Sequence, residues 1–263
     1  MKNQASNFVF DQERASNYDK RFAKLAPMRD ALDLLIRMVL SELPDDARIL
    51  CVGVGTGSEL IHLAQHFPQW QFTAVEPAAP MLNICRQRAE ESGITSRCTF
   101  HEGYLDSLPS SDAFHAATCI LVSHFMMQLE ERRNFFRQIS ARLRPNGYLV
   151  SSDLASDMST PAYKSILEVS LRTLQYSEIP AGEIEKIISS YGQDIAVLPP
   201  QEVESIIASS GFDTPVLFFQ TLLIHAWYAK RTRELKVINI GLKDIRVVKS
   251  EPHSSKTYPR TYL

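Results

Sequence analysis

Cysteine is scarce in this chain, four residues in 263, and Cys51, Cys85, Cys98 and Cys119 form no CxxC pair. That pattern speaks against a disulfide framework or a zinc site and leaves reduced thiols, three of them in apolar stretches that read as interior. No run of 18 apolar residues occurs, and the N-terminal MKNQASNFVFDQERASNYDK has no apolar signal segment. A cytoplasmic chain without a membrane partner is the expectation. Charge of one sign is also missing: the formal net charge is −2, which argues against a polyelectrolyte partner for the body of the protein. The distribution is uneven, since nine Lys or Arg stand against three Asp or Glu from residue 230 onward, leaving the first 229 residues at −8. Any anionic partner would therefore engage the tail, and nucleic-acid binding by the body is disfavoured. With 44% hydrophobic and 22% charged residues the chain is not disordered and can bury a large core.

Glycine is sparse as well, ten residues, yet three of the ten crowd into positions 53, 55 and 57. Upstream, Leu32, Leu35, Ile36, Val39 and Leu40 recur at helical spacing after Pro27 and end near the turn LPDD. RILCVGVGTGSELIHLAQHFP then reads as strand, tight turn and helix. The unit repeats in kind: strands at 71–75, 98–101 and 113–122 and a fifth in PNGYLVSSD, with helices at 80–92 and 129–143. The uninterrupted apolar run at 113–122 is what a central parallel strand buried on both faces requires. Strands alternating with helices through short links imply a doubly wound, mostly parallel α/β sheet. Residues 161–191 break the rhythm with two helical stretches and no strand, an insertion suited to a lid within about 155–198. PPQEVESIIASSGF frames a further helix, and VLFFQ with LLIHAWYAK forms an antiparallel hairpin that completes a seven-stranded sheet. The expected organisation is one domain over 1–229 and a basic extension over 230–263, with a small hairpin in KVINIGLKDIRVV and disorder from Ser250.

The glycines end the first strand, where they let the chain turn sharply and a ligand approach the backbone. Glu76 ends the next strand, 19 residues after Gly57. Neighbouring strands of a doubly wound sheet end on one edge, so this carboxylate belongs beside the glycine turn, where it can accept both hydroxyls of a ribose. The spacing is GxGxG rather than GxGxxG, with Ser58 where a dinucleotide fold would carry its third glycine, so a nucleoside other than a dinucleotide is indicated.

At this point the chain resembles the class I S-adenosylmethionine-dependent methyltransferases, in particular the small-molecule branch. The resemblance covers about residues 8 to 229 and rests on FDQERASNYDKRF, ILCVGVGTG, VEPAAPML, FHEGYLDSLP, ARLRPNGYLVSSD and SSGFDTP in that order. It implies a Rossmann-like methyltransferase fold and S-adenosyl-L-methionine as cofactor. By resemblance Gly53 and Gly55 border the methionine moiety, Gly57 belongs to the same cofactor-binding turn, Glu76 holds the ribose, and Pro77 and Met81 pack against adenine. Leu105 offers its backbone to the adenine edge, Leu121 and Val122 border the sulfonium, and Tyr18 and Arg21 close over the cofactor. Two positions depart from the pattern: Cys51 stands where many relatives carry an acidic residue, and Tyr104 where an aspartate is common. The second removes a usual partner of the adenine amino group unless the Tyr104 hydroxyl or Asp106 substitutes.

Methyl transfer from a sulfonium is an in-line displacement, so alignment and exclusion of water dominate, and a base is needed only for a protonated nucleophile. His124, just past the fourth strand, is the best placed base because its ordinary pKa lies near neutrality; capping of the following helix is its plainer role. Asp153, ending the fifth strand, would orient an acceptor or merely cap the segment from Leu154 onward. No (D/N/S)PP(Y/F/W) motif follows the fourth strand and no Pro-Cys pair exists, which turns the reading away from nucleic-acid bases. The acceptor expected is a small organic molecule presenting oxygen or nitrogen, with a homodimer allowed. A non-catalytic scaffold that keeps the fold for interaction is the alternative, and an NAD-dependent oxidoreductase the weakest third.

Overall fold

The computed structural model describes residues 12–232. The segment 233–263, with the tail, its small hairpin and the expected disorder, lies outside the described residues. The chain opens with helices α1 (Gln12–Arg21) and α2 (Ala26–Leu40), then strand β1 (Arg48–Val52), α3 (Ser58–His66), β2 (Gln71–Glu76), α4 (Ala79–Glu91) and β3 (Cys98–Glu102). It continues through β4 (Phe114–Ile120), α5 (Leu129–Arg142) and β5 (Leu143–Leu154) to α6 (Pro161–Tyr176) and α7 (Ala181–Ser190). It closes with α8 (Pro200–Ala208), β6 (Val216–Thr221) and β7 (Ile224–Lys230). The seven strands form one sheet in the order β3-β2-β1-β4-β5-β7-β6, with β7 antiparallel to both β5 and β6. The order reverses between β1 and β4, which is where a doubly wound sheet opens its ligand crevice.

Burial on both faces explains why the strands read as near-continuous apolar runs. Ile49 and Cys51 of β1 point into a core shared with Ile36 of α2, Leu60 and Leu63 of α3, and Leu82 of α4. Leu50 and Val52 point into the opposite core, built with Phe136 and Ile139 of α5 and Val203 and Ile206 of α8. All four cysteines are free; Cys51, Cys85 and Cys119 are buried and Cys98 is half-buried. Among the described residues no helix is long and apolar enough to cross a membrane, and no group of His, Cys, Asp and Glu could hold a metal ion.

The α6–α7 insertion is tied down at both ends of its excursion. Ala155 bridges Leu198 in parallel, Ser156 N–H donates to the Leu198 carbonyl (2.8 Å), and Ala196 N–H donates to the carbonyl of His124 (2.8 Å). These bonds fasten the insertion beside the carboxyl ends of β4 and β5. Within α6 only Tyr163 is buried, so the apolar residues Ile166, Leu167, Leu171 and Leu174 stay half-buried.

Candidate functional site

The turn after β1 begins with two amides on one acceptor, Gly53 N–H (2.8 Å) and Val54 N–H (3.1 Å) both donating to the Val75 carbonyl of β2. Gly53, Gly55 and Gly57 then take φ of 67°, 56° and 86°, the left-handed region where a Cβ is strained. Space adds a second demand at two of them. A Cβ on Gly53 would stand 2.5 Å from Val122 Cγ2, and one on Gly57 would stand 2.6 Å from Cys85 Sγ. Beside Gly55 the nearest atom is Met81 Cε at 3.6 Å, so this stretch of backbone stays open to an approaching ligand.

Glu76 fills the expected place. Its Oε2 accepts from Gly55 N–H (3.0 Å) and its Oε1 from Ala78 N–H (2.9 Å), and the side chain is buried. Burial raises its pKa above the usual carboxylate value, while the two amides work against that rise. Each carboxylate oxygen retains a lone pair, the capacity needed for two vicinal hydroxyls. A bare turn and a carboxylate clipped to that same turn fit the adenosine part of S-adenosylmethionine.

Other residues singled out in the sequence line the same sheet edge. Met81 is buried beside Gly55 and Val122 abuts Gly53, whereas Pro77 and Tyr104 are exposed, Tyr104 at 57%. Asp106, the other substitute named for the adenine amino group, is also exposed. Leu105 is buried, and its carbonyl already accepts from Arg142 Nη2 (2.8 Å) and Leu108 N–H (3.2 Å). Leu121 adopts φ 57° without being glycine, a strained conformation of the kind that collects at functional sites. Arg21 places its Nη1 3.4 Å from Glu183 Oε2 on α7. The Tyr18 side chain lies outside the described residues.

Asp153 and His124 meet, in a setting the sequence did not announce. Asp153 is fully buried at the end of β5, accepting from the Ser123 hydroxyl (2.7 Å) and from His124 N–H (2.9 Å). Arg132 of α5, equally buried, places Nη2 3.0 Å from Asp153 Oδ2 and donates from Nε to the Ser123 hydroxyl (2.8 Å). His124 Nδ1 stands 3.3 Å from Asp153 Oδ1, and neither this nitrogen nor Arg132 Nη2 makes an aligned hydrogen bond. Burial alone would raise the Asp153 pKa; Arg132, His124 and Ser123 outweigh it and hold the carboxyl below its ordinary value. Asp153 has no exposed surface, and His124 beside it is only 4% exposed.

Sequence reasoning missed Arg132 and Ser123, along with a second pair of carboxyls near the turn. Glu59, in the first turn of α3, is buried against Thr118 and Cys51, and burial together with the nearby Asp33 pushes its pKa up to about 8. Asp33 of α2 accepts from the Ser58 hydroxyl (3.2 Å) and is itself pushed up to about 6 by burial. Cys51 thus faces a carboxyl supplied by the neighbouring helix.

Comparison with known proteins agrees with this architecture. The family model for a methyltransferase domain matches residues 49–147, the span from β1 to the start of β5. Over that span the chain matches a methyltransferase domain, and the strand order and the glycine turn agree with the match. Among characterised relatives, the chain is similar to the carboxy-S-adenosyl-L-methionine synthase of Campylobacter lari, 26% identical over 168 residues that make up 62% of this chain and 68% of that protein. It is also similar to the fatty-acid O-methyltransferase of Mycolicibacterium smegmatis, 27% identical over 121 residues, 46% of this chain and 42% of that one. Among solved structures, an O-methyltransferase family 2 protein from Planctomyces limnophilus in complex with apigenin superposes with a TM-score of 0.56 at 18% identity, over 86% of this chain and 63% of that chain. The chain thus spans less than two thirds of that structure's length, and the likeness is one of fold.

Proposed function

We propose that the protein binds S-adenosyl-L-methionine at the glycine turn and transfers its methyl group to an oxygen or nitrogen of a small, largely apolar organic acceptor. The observation that carries this reading is Glu76, buried, clipped by backbone amides to Gly55 and Ala78, and beside an uncovered stretch of backbone. The bound cofactor supplies an already activated methyl on a sulfonium. The chain's own task is to hold two ligands in line and exclude water, which can lower the barrier by up to roughly 7 to 11 kcal/mol. Glu76 fixes the ribose end, Gly53 and Gly55 border the methionine end, Pro77 and Met81 flank the adenine, and Leu121 with Val122 face the sulfur.

The acceptor belongs on the side of α6, whose half-buried Ile166, Leu167, Leu171 and Leu174 offer an apolar surface fastened next to His124. His124 takes the proton of a hydroxyl or ammonium acceptor from this side, with Asp153 orienting the ring and stabilising its charged form. A second reading, work on the cofactor itself, is favoured by the likeness to a carboxy-S-adenosyl-L-methionine synthase and by Cys51 in place of an acid. Calorimetry with S-adenosylmethionine and S-adenosylhomocysteine tests the cofactor, and mass spectrometry of the copurifying nucleoside separates the two readings. Absence of binding of either nucleoside at millimolar concentration would sink both.

A further inference from the structure

Thr56 stands between Gly55 and Gly57 and is buried, so whatever grips it grips the turn. Its hydroxyl donates to Asp19 Oδ1 of α1 (3.2 Å). Arg88 of α4 reaches the same residue, with Nη1 3.2 Å from the Thr56 hydroxyl and 3.3 Å from its carbonyl, while Nη2 lies 2.8 Å from Asp19 Oδ2. One guanidinium thereby spans the glycine turn and the N-terminal helix. The far end of the same segment is held too, Arg21 by Glu183 (3.4 Å), a longer pair of similar exposure, and Lys24 by Glu178 (2.6 Å), a more exposed pair that contributes less.

We infer that Asp19 and Arg88 are positioning residues forming a latch, which couples docking of α1 to the ordered, ligand-ready conformation of the glycine turn. The inference rests on the cofactor reading above. A turn with three left-handed glycines has many alternatives when nothing holds it, so fixing Thr56 removes an ordering cost that a ligand would otherwise bear. Linkage makes the coupling mutual: if a docked α1 favours the ligand, the ligand favours a docked α1 by the same factor. Neither latch residue is hydrogen-bonded or ion-paired to Glu76, and the latch reaches the glycine turn at Thr56.

The test uses the full chain, S-adenosylhomocysteine as probe, and trypsin, which cuts after Lys20, Arg21 and Lys24. In the wild type the nucleoside should slow cleavage there. Asp19→Asn and Arg88→Met should each weaken nucleoside binding by about two- to fivefold, the scale of a partly exposed ion pair, and should speed cleavage without ligand. The charge-swapped double variant, Asp19→Arg with Arg88→Asp, should recover part of the lost affinity, which a merely structural loss would not. Glu76→Gln should weaken binding while leaving ligand-free cleavage at α1 as in the wild type. Wild-type affinity in both single variants, or cleavage indifferent to the nucleoside in the wild type, overturns the latch and leaves the cofactor reading intact. A wild type that binds no nucleoside overturns the cofactor reading and the coupling together.

Discussion

Two carboxylates end parallel strands of one sheet, Glu76 on β2 and Asp153 on β5, and both are buried, yet their surroundings are opposite. Asp153 has a buried guanidinium, a hydroxyl and an imidazole around it, and its pKa falls. Glu76 has only two backbone amides, and its pKa rises. A carboxylate supplied with a cation is a finished piece of structure. One held by amides alone is oriented but not neutralised, which leaves capacity for a ligand's hydroxyls. On the proposed reading, the difference separates the wall of the crevice from its binding surface.

Breaking the finished side should cost the most. Arg132→Met leaves Asp153 charged and unpaired in the interior, for which about 3 to 5 kcal/mol of stability is the expected loss, measurable by urea unfolding at pH 7. The sign with pH follows from the depressed pKa: the contribution of Asp153 is present above its ordinary value of 3.8 and is lost as pH falls through the lower folded value. A loss under about 1 kcal/mol would put Asp153 in the same class as Glu76 and dissolve the contrast.

The bare side should break through geometry rather than charge. Gly53→Ala meets both a left-handed φ of 67° and a Val122 Cγ2 at 2.5 Å, and strain with overpacking together predict a loss of about 2 to 4 kcal/mol. Adding Val122→Ala removes the clash and not the φ penalty, so the double variant should regain part of the stability. Full recovery would show that conformation at residue 53 carries no cost.

Both sides were visible in the sequence to different depths. The sheet, the glycine turn and Glu76 are written in local patterns: apolar runs, glycines at strand ends, and a carboxylate one strand further on. The antiparallel end of the sheet was also legible, because two strand-like runs with a very short link can pair only as a hairpin. The latch and the Asp153 cluster were not legible. Arg132 sits in EERRNFFRQ among charges that read as a solvated helix face, and nothing local distinguishes it from the exposed Glu131. Asp19 and Arg88 are 69 positions apart, and only the fold brings them to Thr56. Arg21 shows the same limit, since Glu183, which stands 3.4 Å from it, is 162 positions away.

Glu59 sharpens the comparison as a second buried carboxyl that has no cation against it among the described residues. Its folded pKa of about 8 lies above the ordinary 4.5, so between those values the folded chain keeps a proton that the unfolded chain has released. Stability from this group therefore falls as pH rises from about 5 to 8. Glu59→Gln, which cannot ionise, should be more stable than the wild type by about 2 kcal/mol at pH 8 and close to it at pH 5, read from paired denaturation curves. Equal curves at pH 8 would mean that a cationic partner reaches Glu59.

The smallest effect on stability should come from the residue that matters most to the ligand. Glu76→Gln retains one carbonyl oxygen for the Gly55 or Ala78 amide and loses the second, a change of about 1 kcal/mol or less. Because burial raises the folded pKa of Glu76 above 4.5, the wild type loses a little stability as pH climbs through that raised value, and the Gln variant should lose none there. Binding should respond far more: a charged acceptor of ribose hydroxyls contributes about 1.5 to 3 kcal/mol per bond, so nucleoside affinity should fall by about tenfold or more. A variant that melts like the wild type yet no longer holds the nucleoside would separate the two carboxylates as sharply as the structure does. If Glu76→Gln unfolded as readily as Arg132→Met, Glu76 would be structural like Asp153, and the binding surface would have to lie elsewhere on the sheet edge.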